Sequence, residues 1–155
     1  MVKEYNDLRG HLKFLEEKGL LVRVKRPINK DTEIHPLVRW QFRGGLREED
    51  RRAFLFENVI DNMGKKYDIP VALGVYAASK YIYAAGLGCE VEEVASLWER
   101  DLARPIEPQV VANGPVQDVV HMGKELKELG LDQFPVPIST PGFDNAPYIT
   151  CAMRR

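Results

Sequence analysis

Cysteine is scarce in this 155-residue chain: Cys89 and Cys151 lie far apart and form no CxxC pair. That excludes a disulfide framework or a zinc knuckle and leaves two buried or idle thiols. Histidine is nearly as rare. His11, His35 and His121 are scattered, and a lone histidine on a helix or strand more often makes a structural hydrogen bond than binds a metal. No apolar run approaches the roughly 18 residues of a membrane span. Charges within Met1–Asp7 stand where a signal peptide needs a greasy core. Both absences point to a cytoplasmic protein without a membrane span. A basic excess is missing too, since a net charge of -1 removes the usual electrostatic case for nucleic acid. Nucleophile elbows, P-loops and HExxH are absent. Gly86-Leu87-Gly88 opens like a dinucleotide fingerprint, but Val91 stands where the third glycine belongs, so a tight helix end is the better reading.

What is present describes an ordinary globular protein, with 45% hydrophobic and 29% charged residues. Leu8, His11, Leu12 and Leu15 follow helical spacing, with Asn6 or Asp7 to cap and Gly19 to end a helix over 7–18. A strand follows from Leu20 to Lys25, with Leu20, Val22 and Val24 on one side, closed by Pro27. Asp31 or Thr32 is placed to cap a second helix bearing Ile34, Leu37, Val38 and Gln41, with Pro36 confined to its first turn and Gly44-Gly45 as its stop. Ala53–Val59 and Ile69–Val75 read as buried strands around a loop at 61–68. Two more helices are expected, over 77–86 and from Val91 to Leu102. Seven of the ten prolines lie beyond Arg104, so extended segments and turns should follow, with one short helix near 124–129. The expected division is a mixed α/β domain over 1–104 and a Pro-rich remainder over 105–155.

Charged residues offer no reaction centre. Glu16-Glu17, Glu48 to Asp50 and Glu92-Glu93 are adjacent in sequence, so their members point apart and make no automatic acid/base dyad. Met1–Arg52 holds 13 Lys/Arg against 9 Asp/Glu, with 9 against 14 in the remainder. Arg23, Lys25, Arg26, Arg39, Arg43, Arg51 and Arg52 read as a solvated face, with an acidic partner or another part of a larger protein as the alternative.

The chain closes on GFDNAPYITCAMRR, a Gly/Asp/Asn/Pro turn followed by good strand formers. LRGHLKFLEEKGLLVRVKRPI (8–28), FLFENV (54–59), IPVALG (69–74), PIEPQVV (105–111), QFPVPIS (133–139) and DNAPYIT (144–150) occur in an order that resembles the UbiD-like decarboxylase family. The resemblance implies an N-terminal mixed α/β domain followed by the Pro-rich entry and first strand of a split β-barrel that binds prenylated FMN (prFMN). It implies reversible, non-oxidative decarboxylation of aromatic or α,β-unsaturated acids, with the modified flavin as electron sink. Manganese and potassium bind the flavin phosphate in the complete enzyme, which assembles as a homo-oligomer. By carry-over, Thr150, Cys151, Ala152 and Met153 lie beside the flavin, Cys151 reading equally as an ordinary strand thiol. No catalytic or metal-binding residue is assigned, because the family's motifs for those roles lie beyond Tyr148 and find no match here. The expectation is therefore an N-terminal fragment, inactive and flavin-free alone, whose partner is the remainder of a UbiD-like polypeptide or a UbiD-like subunit. Two alternatives stand beside it: a non-catalytic assembly module that adds a strand to a partner's sheet, and a self-sufficient enzyme using Glu92, Glu93, Asp144 and His121.

Overall fold

The computed structural model describes residues 7–139. The expected barrel strand from Tyr148 and the flavin-side positions Thr150, Cys151, Ala152 and Met153 lie outside the described residues. Helix α1 (Leu8–Glu17) starts where Asp7 Oδ1 accepts from the Gly10 amide at 2.7 Å. Its buried side, His11 and Leu15, faces the core. Strand β1 (Leu21–Asn29) leads to α2 (Ile34–Arg43), and β2 (Ala53–Ile60) follows. β3 (Lys66–Tyr67) and β4 (Val71–Leu73) come next, then α3 (Lys80–Leu87) and α4 (Val94–Leu102). Beyond α4, among the described residues, the regular structure consists of 3-10 turns at Pro115–Gln117, Gly123–Lys127 and Leu131–Gln133. The short helix expected near 124–129 is thus a 3-10 turn.

β2 is the centre of a mixed sheet, paired in parallel with β1 on one side and antiparallel with β4 and β3 on the other. Alternation along β2 sends Phe54 and Phe56 to one face and Ala53 to the other. On the first face, Phe56 packs with Ile28, Val71 and the α2 residues Ile34 and Val38. Ala53 joins Leu15 of α1, Ile82 of α3 and Val75 and Ala78 between β4 and α3. Helices on both faces explain why β1 does not bury a single side: Leu21 packs into the second core while Val22 is exposed.

Three boundaries differ from the sequence expectation. β1 runs through Pro27 to Asn29, because the pairing shifts between Val24 and Pro27. An edge strand tolerates proline at such a bulge, where its missing N–H is not part of the ladder. The Asn58 side-chain amide donates to the Lys25 carbonyl at that bulge. α2 takes Glu33 rather than Asp31 or Thr32 as its cap position, with no side-chain cap bond, because the Asp31 carboxylate is engaged elsewhere. The expected strand over 69–75 is the shorter β4, and the preceding loop holds β3.

Side chains with potential for chemistry are engaged structurally. His11 Nε2 lies 2.7 Å from the Val75 carbonyl, and the ring stacks on Tyr76 at 5.1 Å. Arg23 on β1 donates to Glu16 of α1 and Glu57 of β2, tying the edge strand to both neighbours. Gln41 exchanges two hydrogen bonds with the Arg52 backbone. Gly88 ends α3 at φ 73°, so the Gly86-Leu87-Gly88 stretch is a helix end.

Candidate functional site

β1 and β2 run parallel, so their carboxyl ends meet at one edge of the sheet, the place where open α/β sheets take ligands. Asn29 ends β1 and folds the chain back, its Oδ1 accepting from the amides of Asp31 (2.8 Å) and Thr32 (3.2 Å). The turn delivers Lys30 and Asp31 into the protein. Lys30 Nζ lies 2.6 Å from Asp31 Oδ1, and the two side chains are 10% and 11% exposed. Asp31 Oδ2 accepts from the Asn62 amide at 3.1 Å, so the carboxylate stitches the end of β1 to the loop after β2. Glu33 completes the turn by accepting from the Asn29 amide at 2.8 Å. That bond, opposed by burial and aided by Arg26, holds the Glu33 carboxyl below its ordinary value.

The loop after β2 is built on Asp61. Its Oδ1 accepts from the amides of Met63 and Lys65, both at 2.9 Å, and its Oδ2 from the Tyr67 hydroxyl at 3.1 Å. Burial resists ionisation of Asp61, but the Lys65 and Met63 amides and the Tyr67 hydroxyl outweigh it, so the carboxyl sits below its ordinary value. Burial, the Asp61 bond and the charges of Asp61, Asp31 and Asp132 push the Tyr67 hydroxyl up to about 12. Two ammonium groups attend the Tyr67 ring, Lys65 at 4.9 Å and Lys30 at 5.9 Å from its centroid.

This cluster holds the chain's own later segment. Lys65 Nζ donates to the Asp132 carbonyl at 2.9 Å and to Gln133 Oε1 at 3.4 Å. The Ile138 amide donates to the Lys30 carbonyl at 3.3 Å, and Pro135 between them is buried. The carboxyl edge of β1 and β2 is therefore a clasp for Asp132–Ile138. Sequence reading missed it. The available signals were local: a polar Asn-Lys-Asp turn directly after an apolar strand, and the turn-forming Asp61-Asn62-Met63-Gly64 after another.

Chemically the clasp binds and orients, with Lys30, Asp31, Asp61, Lys65 and Tyr67 hydrogen-bonded to one another or to the backbone. Among the described residues no three His, Cys, Asp or Glu side chains come together as a metal site. Of the carboxylate neighbours flagged in the sequence, Glu16 pairs with Arg23, Glu17 with Lys13, and Glu49 and Asp50 both with Arg47. His121 pairs with Glu125 at 3.3 Å. A groove of about 570 Å³ runs between Phe14, Leu20, Tyr81, Ala84 and Ala85, with Cys89 on its wall. A flavin does not fit its charge pattern. Glu49 and Glu90 line it, and its one lysine, Lys18, rests 5.7 Å from the Phe14 ring centroid, so a phosphate would face two carboxylates. The N-terminus of α3 is likewise taken, the Lys80 amide donating to Glu48 Oε1 at 2.9 Å.

The fold has counterparts among known proteins. Residues 12–100 match the model of the 3-octaprenyl-4-hydroxybenzoate carboxy-lyase N-terminal domain. An uncharacterized protein of Aquifex aeolicus is 31% identical over 171 residues, which take in 95% of this chain and 32% of that protein. The chain thus spans about a third of the length of this relative. Among solved structures, an evolved dimeric form of the UbiD-class enzyme HmfF from Pelotomaculum thermopropionicum, in complex with prFMN, superposes with a TM-score of 0.64. It is 26% identical, and the match covers 86% of this chain and 28% of that one. Vanillic acid decarboxylase from Sedimentibacter hydroxybenzoicus in its open form is 30% identical over 71% of this chain and 23% of its own, at a TM-score of 0.52. With more than half of its residues accounted for by the family's own pattern, the chain belongs to the UbiD N-terminal domain family.

Proposed function

We propose that this chain supplies the N-terminal portion of a UbiD-like reversible, non-oxidative decarboxylase of aromatic or α,β-unsaturated carboxylic acids, and that residues 7–139 are its scaffold. The observation that carries the scaffold role is the clasp: the sheet edge where a ligand would bind is taken by Asp132–Ile138. Family membership and the prFMN and FMN complexes of HmfF support the flavin as cofactor. In this reading 1–104 is the α/β domain and 105–155 leads into a split barrel. Thr150, Cys151, Ala152 and Met153 pass beside prenylated FMN, and manganese and potassium sit on its phosphate, held by the remainder of a UbiD-like polypeptide. The complete enzyme is a cytoplasmic homo-oligomer, and the chain alone holds no flavin and releases no CO2.

The test uses the purified chain and a chimaera in which it replaces the matching portion of HmfF. Each is incubated with prenylated FMN, Mn2+ and K+, and CO2 release is followed from a panel of aromatic and α,β-unsaturated acids. Turnover is expected from the chimaera only. Flavin-dependent turnover by the chain alone overturns the scaffold role. A flavin-loaded chimaera that decarboxylates none of the acids overturns the decarboxylase reading.

A further inference from the structure

The arginines of the described residues are mostly answered by the chain itself. Arg23, Arg26, Arg47 and Arg100 each meet a carboxylate, and Arg52 donates to the Glu49 and Arg51 carbonyls. Arg51 differs. The 3-10 turn Glu48–Asp50 sets it just before β2, partly buried, with its guanidinium carbon 5.0 Å from the Phe42 ring centroid. Its Nε is withdrawn from water and meets no acceptor among the described residues. A cation drawn partly out of water costs free energy unless an anion answers it, so a donor orphaned in this way points to a missing partner.

Arg51 borders a cavity of about 250 Å³ between the end of α2, the turn before β2 and the start of α3. Ser79 on its wall is 4% exposed and accepts from the Ile82 amide at 3.3 Å, which leaves its hydroxyl proton for an acceptor. Tyr83 brings a second hydroxyl, and Lys80 a second cation. The carboxylate on the wall, Glu48, is committed to the Lys80 amide at 2.9 Å. Arg51 and Lys80 against Glu48 leave one positive charge over, which balances a monoanion; the second charge of a phosphate would face Glu48. The terminal amino groups of a guanidinium match the two oxygens of a carboxylate. Phe42, Ala77 and Ala78 make the remaining wall apolar, and the volume suits a molecule smaller than a drug-sized ligand. We infer that this cavity binds a small monocarboxylate with an apolar body, its carboxylate on Arg51 and Lys80. The site is built from residues 42–83, and its existence does not depend on the decarboxylase reading.

Benzoate is the probe, with its neutral isostere benzamide and inorganic phosphate beside it. Each is titrated into the purified chain at low ionic strength and followed by amide chemical shifts. Benzoate is expected to saturate and to move the amides of Arg51 and 79–83, with benzamide at least about tenfold weaker and phosphate weaker too. Arg51→Met keeps an apolar stem against Phe42 and removes the charge, so it should weaken benzoate about tenfold or more. Glu48→Gln still accepts from the Lys80 amide but removes the opposing charge, and it should tighten benzoate several-fold. That gain cannot come from a variant that has lost its fold. Benzoate that fails to saturate, or that binds no better than benzamide, overturns the site. Phosphate that matches benzoate with the same dependence on Arg51 overturns the carboxylate as its ligand. A folded Glu48→Gln chain without a gain in affinity shows that the charge of the cavity does not select what binds, and overturns the inference equally.

Discussion

Lys30 and Asp31 are neighbours in sequence and partners in space, Nζ to Oδ1 at 2.6 Å with both side chains about nine-tenths withdrawn from water. An ion pair in that setting contributes little net stability beyond a well-packed apolar pair, but removing one member strands the other. Lys30→Met leaves the Asp31 carboxylate held by the Asn62 amide. The expected cost is about 3–5 kcal/mol. Lys30→Met/Asp31→Asn should cost distinctly less, because asparagine still accepts from Asn62 without a buried charge. Urea denaturation of the two variants beside the parent checks this. Equal losses would mean that the charge of Asp31 is not what the lysine neutralises.

The Tyr67–Asp61 bond makes two opposite predictions about pH. Tyr67 is raised in the folded protein to about 12 from an ordinary 10.0. Its contribution is fully present below pH 10 and is lost as pH rises toward 12. Asp61 is lowered from 3.8, so its contribution is present above that value and is lost as pH falls through the lower, folded one. Tyr67→Phe should flatten the alkaline limb of the stability profile and remove a late tyrosinate step from the ultraviolet titration. An alkaline limb that is unchanged in the variant places the late-ionising group elsewhere.

Gly74, which follows β4, has φ 72°, and a Cβ built there lies 2.9 Å from the Ala78 Cβ. Gly74→Ala therefore meets the left-handed backbone penalty of roughly 1–2 kcal/mol and a clash inside the second core. A loss larger than the backbone penalty alone is expected in thermal denaturation. Gly45, at φ 83° with open space around its missing Cβ, is the control: alanine there should show the backbone penalty only.

How much of this was legible in the sequence depends on how local each cause is. α1 follows from Leu8, His11, Leu12 and Leu15 with Asp7 before them, and β2 from the apolar run AFLFENV, because those signals sit within the element. The family order of segments was also visible, and so was the mixed α/β class. β1 was expected to stop at Pro27, since proline is read as a terminator unless the bulge that accommodates it is known, and that bulge is fixed by pairing with residues about 30 positions away. The cap of α2 was misassigned because Asp31 has a stronger engagement, with Lys30 and the Asn62 amide. β3 has two residues and no periodicity to read. The clasp joins Lys30, Asp61–Tyr67 and Asp132–Ile138, three segments brought together only by the fold. Thr150–Met153, expected beside the flavin, lie outside the described residues.

The clasp also predicts where the chain should open first. Asp132–Ile138 is held by the Lys65 ammonium at one end and by the Ile138 amide on the Lys30 carbonyl at the other, with Pro135 buried between. Neither bond belongs to the β1–β2 ladder, so losing one should release the segment without melting the sheet. Lys65→Ala is expected to speed exchange of the Ile138 amide several-fold while the amides of Phe54–Phe56, paired with β4, keep their protection. Lys65→Arg retains the charge and should retain most of the protection. Hydrogen exchange read residue by residue separates these cases. Simultaneous loss in β2 and at Ile138 would mean that segment and sheet open as one unit, and the clasp would then be part of the core.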